Sequence, residues 1–171
     1  MPAILIDAVR RGHADEVAGL LAGGADANQP TDDLSSESPL YIASQEGHAE
    51  ITEALLAAGA VVDHEKKNGA TPLFVACLNG HAKVTATLLA AGAAVNQAKD
   101  HGFTPLFVAC EHGRTETVTA LLAAGAAVDQ AKDNGATPLY VACQNGHTEI
   151  AAALLAAGAS VNQAYCGVTD D

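Results

Sequence analysis

A strict internal repeat constrains this chain's fold more than any other feature. Ser38-Pro39-Leu40 returns as Thr71-Pro72-Leu73, Thr104-Pro105-Leu106 and Thr137-Pro138-Leu139, always at the same interval. Gly47, Gly80, Gly113 and Gly146 keep that step, as do the Leu pairs starting at 55, 88, 121 and 154 and the Gly-Ala pairs at 59, 92, 125 and 158. Segments 99–131 and 132–164 are identical at 22 of 33 positions. Such self-similarity signals an array of small supersecondary units, none of which can bury its apolar face alone. An earlier unit fits at an offset of 35, matching Ala8, Gly12 and Leu20-Leu21 to Ala43, Gly47 and Leu55-Leu56. The two extra residues fall in 29–38, a polar, acidic, Ser-rich stretch that reads as a longer surface loop.

Each unit spells two helices. Thr137 is a good N-cap, because its hydroxyl can accept a hydrogen bond from an orphan N–H. Pro138 takes the first helical position, where no N–H is missed. The first helix is predicted to run to about Asn145, and Gly146 supplies the left-handed residue that stops it. A second helix follows His147, with Glu149 in its first turn, where the dipole favours negative charge. Ile150, Leu154 and Leu155 form its predicted buried stripe, and Gly158 ends it. Helices this short are marginal alone. They persist only if each unit buries its face on a neighbour, as in a solenoid.

Composition narrows the function. There are 38 Ala and six aromatics in 171 residues, which favours thin, closely packed helices. Eight basic against 20 acidic residues give a net charge of −12, which repels nucleic acid. The longest apolar run, 150–157, falls well short of the roughly 20 residues a membrane span needs. Asp7 and Arg10 interrupt the apolar N-terminal stretch, so no secretory signal is expected.

The pattern G-x-T-P-L-x-x-A-x-x-x-G-H-x-x-x-x-x-x-L-L-x-x-G-A, recurring at this step, resembles the ankyrin repeat. Residues 69–93, 102–126 and 135–159 carry it nearly complete, and 33–60 carries it with Ser38 for Thr. The resemblance implies an all-α solenoid of stacked antiparallel helix pairs joined by β-turn or hairpin-like connections. It covers about residues 2–164 of a single domain spanning 1–171, with an N-terminal cap at about 1–28 and units at 33–65, 66–98, 99–131 and 132–164. Residues 165–171 read as a frayed start of another turn. There are two departures, the first of them recurrent. The His of the family's T-P-L-H is replaced by Tyr41, Phe74, Phe107 and Tyr140, and Arg114 stands where most units have His. The first leaves a column of four rings, either packing between repeats or lining the inner face as a binding stripe. Asp7 replaces the apolar residue found at Ile42, Val75, Val108 and Val141, as a capping unit requires. No such replacement marks the far end, which suggests either a cut from a longer array or a tolerated open face.

No catalytic, cofactor or metal site is expected. Cys77, Cys110 and Cys143 recur one repeat apart, about 10 Å, too far for the roughly 7 Å a disulfide allows. They read as small buried hydrophobes, while Cys166 lies in the tail. His48, His81 and His147 follow the helix-ending Gly and are suited to bonding turn backbone. The same spacing keeps them from sharing a metal. His101 and His112 read as solvent-facing. No P-loop, G-x-S-x-G, C-x-x-C or H-E-x-x-H spacing occurs.

The resemblance implies a concave surface built by turn tips and inner-helix ends. Those positions are Asp33, Leu34, Ser35 and Glu37; Lys66, Lys67, Asn68 and Ala70; Lys99, Asp100, His101 and Phe103; and Lys132, Asp133, Asn134 and Ala136. The helix ends add Arg10, Arg11, Gln45, Glu46, Leu78, Asn79, Glu111, His112, Gln144 and Asn145. These are also the positions where the near-identical units differ most, so the scaffold does not dictate them. Leu78 and Phe103 are apolar where solvent is expected, which is hot-spot material. Four turn-tip lysines predict a mixed or locally basic rim suited to an acidic partner segment, unless Asp100 and Asp133 neutralise their neighbours. The expected function is non-catalytic binding of another protein or peptide, as a monomer, with no nucleic acid, membrane or cofactor. Unpaired cysteines point to an intracellular, cytoplasmic setting. The alternatives are self-association through the uncapped C-terminal end and an engineered scaffold. The irregular 29–38 insertion and frayed tail favour a natural chain over the latter.

Overall fold

The computed structural model describes residues 2–31 and 36–161, and the expectations for Asp33, Leu34, Ser35, Cys166 and the 165–171 tail lie outside them. Ten α-helices follow in pairs among the described residues: α1 Pro2–Arg11, α2 Ala14–Ala22, α3 Pro39–Glu46, α4 Ala49–Ala57, α5 Pro72–Asn79, α6 Ala82–Ala90, α7 Pro105–Glu111, α8 Thr115–Ala123, α9 Pro138–Gln144 and α10 Thr148–Ala156. The odd-numbered inner helices stack on one another in chain order, and so do the even-numbered outer helices. The fold is the expected helix-pair solenoid.

The inner helices begin as their sequences dictate. The hydroxyls of Ser38, Thr71, Thr104 and Thr137 accept from the backbone N–H of Tyr41, Phe74, Phe107 and Tyr140 at 3.1–3.2 Å, with proline next in line. Each cap is buried, so replacing it leaves an orphan donor away from water. The helices end where Gly47, Gly80, Gly113 and Gly146 turn left-handed. Glycine has a second role at three of these stops, since a Cβ on Gly80 would lie 2.6 Å from Cδ of Arg114 in the next repeat. A Cβ on Gly47 would lie 2.6 Å from the His81 ring of the next repeat, and one on Gly113 would lie 2.7 Å from the His147 ring.

The core is a continuous seam along the stack. Leu40, Leu73, Leu106, Leu55, Leu88, Leu121 and Leu154 are at most 1% exposed. Asp7 of α1 is exposed and paired with Arg11 at 3.2 Å. Two expectations fail at the last repeat. Leu155 is 47% exposed, and Cys143 is exposed whereas Cys77 and Cys110 are buried. The cause is geometric: these side chains point toward the next repeat, and among the described residues none packs there.

Between repeats, two sets of bonds lock the register. His81 Nε2 and Asn79 Nδ2 both reach the Gln45 carbonyl, at 3.0 and 2.9 Å. His147 and Asn145 repeat this on Glu111 O, at 3.3 and 2.8 Å. Arg114 Nε donates to Leu78 O at 3.2 Å, so the arginine replaces the histidine without losing the bond. On the outer edge, Asn28, Asp63, Asn96 and Asp129 accept from the backbone N–H of Val61, Ala94, Ala127 and Ser160 in the following repeat. Those four acceptors are not among the positions the sequence singles out. The signal for three of them is the recurring Val-Asp or Val-Asn at 62–63, 95–96 and 128–129, with Ala27 before Asn28.

Candidate functional site

The connections between helix pairs build one edge of the solenoid. Lys66 N donates to Ala70 O, Lys99 N to Phe103 O and Lys132 N to Ala136 O, closing a tight turn in each repeat. Adjacent turns are tied by Asp100 N to Asn68 O at 3.1 Å and Asp133 N to His101 O at 3.2 Å. The turn at 99–103 differs from its neighbours. Its tip, Asp100–Gly102, is a single 3₁₀ turn with His101 at φ 65°, a left-handed conformation that is uncommon outside glycine. Asn68 and Asn134 occupy the matching place in the other turns, and their Oδ1 atoms bond Ala70 N and Ala136 N.

This edge and the inner-helix ends hold the sequence-predicted residues in three groups. Arg10, Arg11, Glu46, Lys67, Asn68, Asn79, Asp100, His101, His112, Asp133, Asn134, Tyr140, Gln144 and Asn145 are exposed. Gln45, Leu78, Phe103 and Glu111 are half-buried. Tyr41, Phe74 and Phe107 are buried, at 6%, 4% and 1% exposure, so three of the four rings pack between repeats, while Tyr140 is 37% exposed. Ala70 and Ala136 are buried as well. Leu78 and Phe103 pack against the core and are not free apolar side chains. Phe103 meets Phe107 edge-on, with centroids 5.6 Å apart and planes at 89°. Asn79 and Asn145 spend an amide N–H on the preceding repeat.

The rings are covered by lysines. Lys66 Nζ lies 4.8 Å from the Tyr41 centroid, Lys99 5.3 Å from Phe74, and Lys132 5.2 Å from Phe107. The offset between ring and lysine is the same in all three pairs, so every one of these rings is roofed by the next repeat's turn. That constancy is visible in the sequence, but no rule of local structure links positions so far apart. Phe103 adds a second ring, 3.8 Å from Lys132 and 5.5 Å from Lys99. Such contacts contribute about 0.5–2 kcal/mol each, more where water is excluded. Burial pushes the Tyr41 phenol above its ordinary pKa, partly offset by the Lys66 charge.

Charge on this edge is mixed. Lys66 pairs with Glu37 at 2.7 Å, and Arg10 approaches the same carboxylate at 3.9 Å. Asp100 and Asp133 form no ion pair within 4 Å of Lys99 or Lys132 among the described residues, so they do not neutralise those lysines by contact. Between the last two inner helices, Phe107, Glu111, Lys132, Asn134, Tyr140 and Gln144 line an open cleft of about 140 Å³. No group of His, Cys, Asp and Glu among the described residues is placed to hold a metal. Among them, no helix is long and apolar enough to cross a membrane.

Stacked helix pairs with hairpin-like turns on one edge define a repeat solenoid of the interaction type. A family model described as ankyrin repeats (3 copies) matches residues 5–99 and 87–165, and the chain belongs to that family. It is 45% identical over 67 residues to the 2-5A-dependent ribonuclease of Mus musculus, covering 39% of this chain and 9% of that protein. It is 44% identical over 63 residues to GA-binding protein subunit beta-1 of Homo sapiens, covering 37% of this chain and 15% of the relative. With GA-binding protein subunit beta-2 of Mus musculus it shares 43% over 63 residues, covering 37% and 14%. The chain thus matches only a small part of each relative. Ankyrin repeats are generally protein–protein interaction modules and typically non-catalytic.

Proposed function

We propose that the chain is a non-catalytic module that grips a partner polypeptide along the concave edge formed by the turns and inner-helix ends. One observation carries the reading: chemically varied side chains, among them His101, His112, Asn134, Tyr140 and Gln144, stand exposed on a scaffold whose backbone is tied repeat to repeat. A preformed surface loses little conformational entropy on binding. Two of the similar proteins are named as subunits, which accords with a role in assembly. Free thiols at Cys77, Cys110 and Cys143 support a reducing, intracellular setting.

The test compares proteins captured by the full chain with those captured by two variants. His112→Glu with Gln144→Arg alters the concave edge, and Glu53→Arg with Glu116→Arg alters the exposed face of the outer helices. Partners lost with the first pair and kept with the second support the reading. Equal capture by all three proteins refutes it.

A second reading rests on the exposed apolar side chains of the last described repeat. Leu155 and Val161, 47% and 72% exposed, line a cleft of about 300 Å³ with Tyr140 and Cys143, a surface suited to self-association. Sedimentation over a wide concentration range separates the two: a constant monomer removes the second.

A further inference from the structure

Repeat symmetry exposes a difference among the ring-mounted lysines. Lys66, Lys99 and Lys132 are equivalent positions, resting on Tyr41, Phe74 and Phe107 of the preceding repeat. A second set of equivalent positions, one turn earlier in the chain, holds Glu37, Ala70 and Phe103 respectively. Lys66 therefore has a carboxylate from its own chain, at 2.7 Å, with both partners largely buried at 22% and 16% side-chain exposure. Lys99 has Ala70 there instead, and Lys132 has an aromatic face at 3.8 Å. Both ammonium groups stand on the one Phe103 ring, half-buried, with no carboxylate within 4 Å among the described residues. The nearby acids are otherwise placed. Glu111 lies 3.9 Å from His112, and the Asp133 carboxylate sits over Gly102, its Oδ1 2.9 Å from where a Cβ on that glycine would be.

We propose that Lys99 and Lys132 receive an Asp or Glu carboxylate from the partner polypeptide, in the role that Glu37 plays at Lys66. The proposal rests on the concave edge being the binding face, and it specifies the chemistry recognised there. An ammonium resting on a ring has lost part of its water and presents its remaining N–H donors outward. A carboxylate arriving there makes charge-assisted bonds in a partly dry site, where they are stronger than on an open surface. The ring column fixes the lysine stems and so lowers the rotamer entropy lost on pairing.

A random-peptide library displayed on phage and selected on the full chain supplies the probe. Enriched peptides are then titrated against variants by fluorescence anisotropy. The expected result is enrichment in Asp and Glu, with affinity falling about tenfold for Lys99→Gln and for Lys132→Gln. Lys99→Arg and Lys132→Arg should retain binding, and so should Lys66→Gln, whose ammonium is already engaged. Exchanging charges, Lys99→Glu against a peptide with its acid changed to Lys, should restore affinity. No acidic enrichment, or affinities unmoved by Lys99→Gln and Lys132→Gln, overturns the proposal. If His112→Glu with Gln144→Arg still weakens the same peptides, the concave-edge reading survives that failure. If those variants are silent too, or no peptide is enriched, both fall.

Discussion

The central repeats and the last described repeat carry almost the same residues in two different surroundings. Phe107 is 1% exposed and Tyr140 37%. Cys110 is buried and Cys143 exposed. Leu122 packs half-buried against the core, whereas Leu155 is 47% exposed. Helix bounds, caps and glycine turns are alike in both places, so local structure does not account for the contrast. The presence of a following repeat does. In this fold secondary structure belongs to the unit and burial belongs to the pair, which is the energetic signature of a one-dimensional array.

The largest test of that contrast is truncation of the rings. Phe107→Ala should cost about 3–5 kcal/mol, and Tyr140→Ala about 1 kcal/mol or less, in urea unfolding followed by circular dichroism. Equal losses would break the comparison. Thiol reactivity comes next. Burial raises the Cys77 and Cys110 pKa values to about 12, so at pH 8 both are protonated and non-nucleophilic, as well as shielded. In a Cys166→Ser background, Cys143 should react with a maleimide at least about a hundredfold faster than either, since the buried thiols require local opening first. Mass-spectrometric time courses read this directly.

Glycine turns sharpen the point. Gly47→Ala meets left-handed strain of about 1–2 kcal/mol and also drives a methyl into the His81 ring. Gly146→Ala, at φ 74° with nothing within 4 Å of the added carbon, meets the strain alone. The thermal midpoint should fall further for Gly47→Ala. The smallest effect is expected on the outer edge, where Asn96→Ala removes the acceptor for Ala127 N, at 2.8 Å and exposed to water. A loss of about 1 kcal/mol or less is expected by the same unfolding assay. A similar substitution at a solvated residue such as Glu53 should cost nothing measurable.

What is legible in the sequence divides along the same line. The caps at Ser38, Thr71, Thr104 and Thr137 and the stops at glycine follow from short-range rules, and the structure has them. Leu155 and Cys143 are misread because a single unit does not reveal whether another unit covers it. Leu78 and Phe103 read as exposed because their turn and helix end are at the surface. Their side chains fold back onto the core, Phe103 against the Phe107 edge. The lysine roofs and the Asp63, Asn96 and Asp129 clamps join residues far apart in the chain across a repeat boundary. Such pairings emerge only when the units are stacked. At the candidate site, sequence divergence between units points to the exposed edge, while the division between buried rings and exposed polar groups needs coordinates.

The outer-edge clamps have a mechanical consequence. Asn28, Asp63, Asn96 and Asp129 rivet successive repeats at matching points, just beyond the ends of the outer helices. Stretched from its two ends, such a chain should release a single rivet and its helix pair at a time, so a force trace would show evenly stepped ruptures, each lengthening the tether by the contour of one repeat.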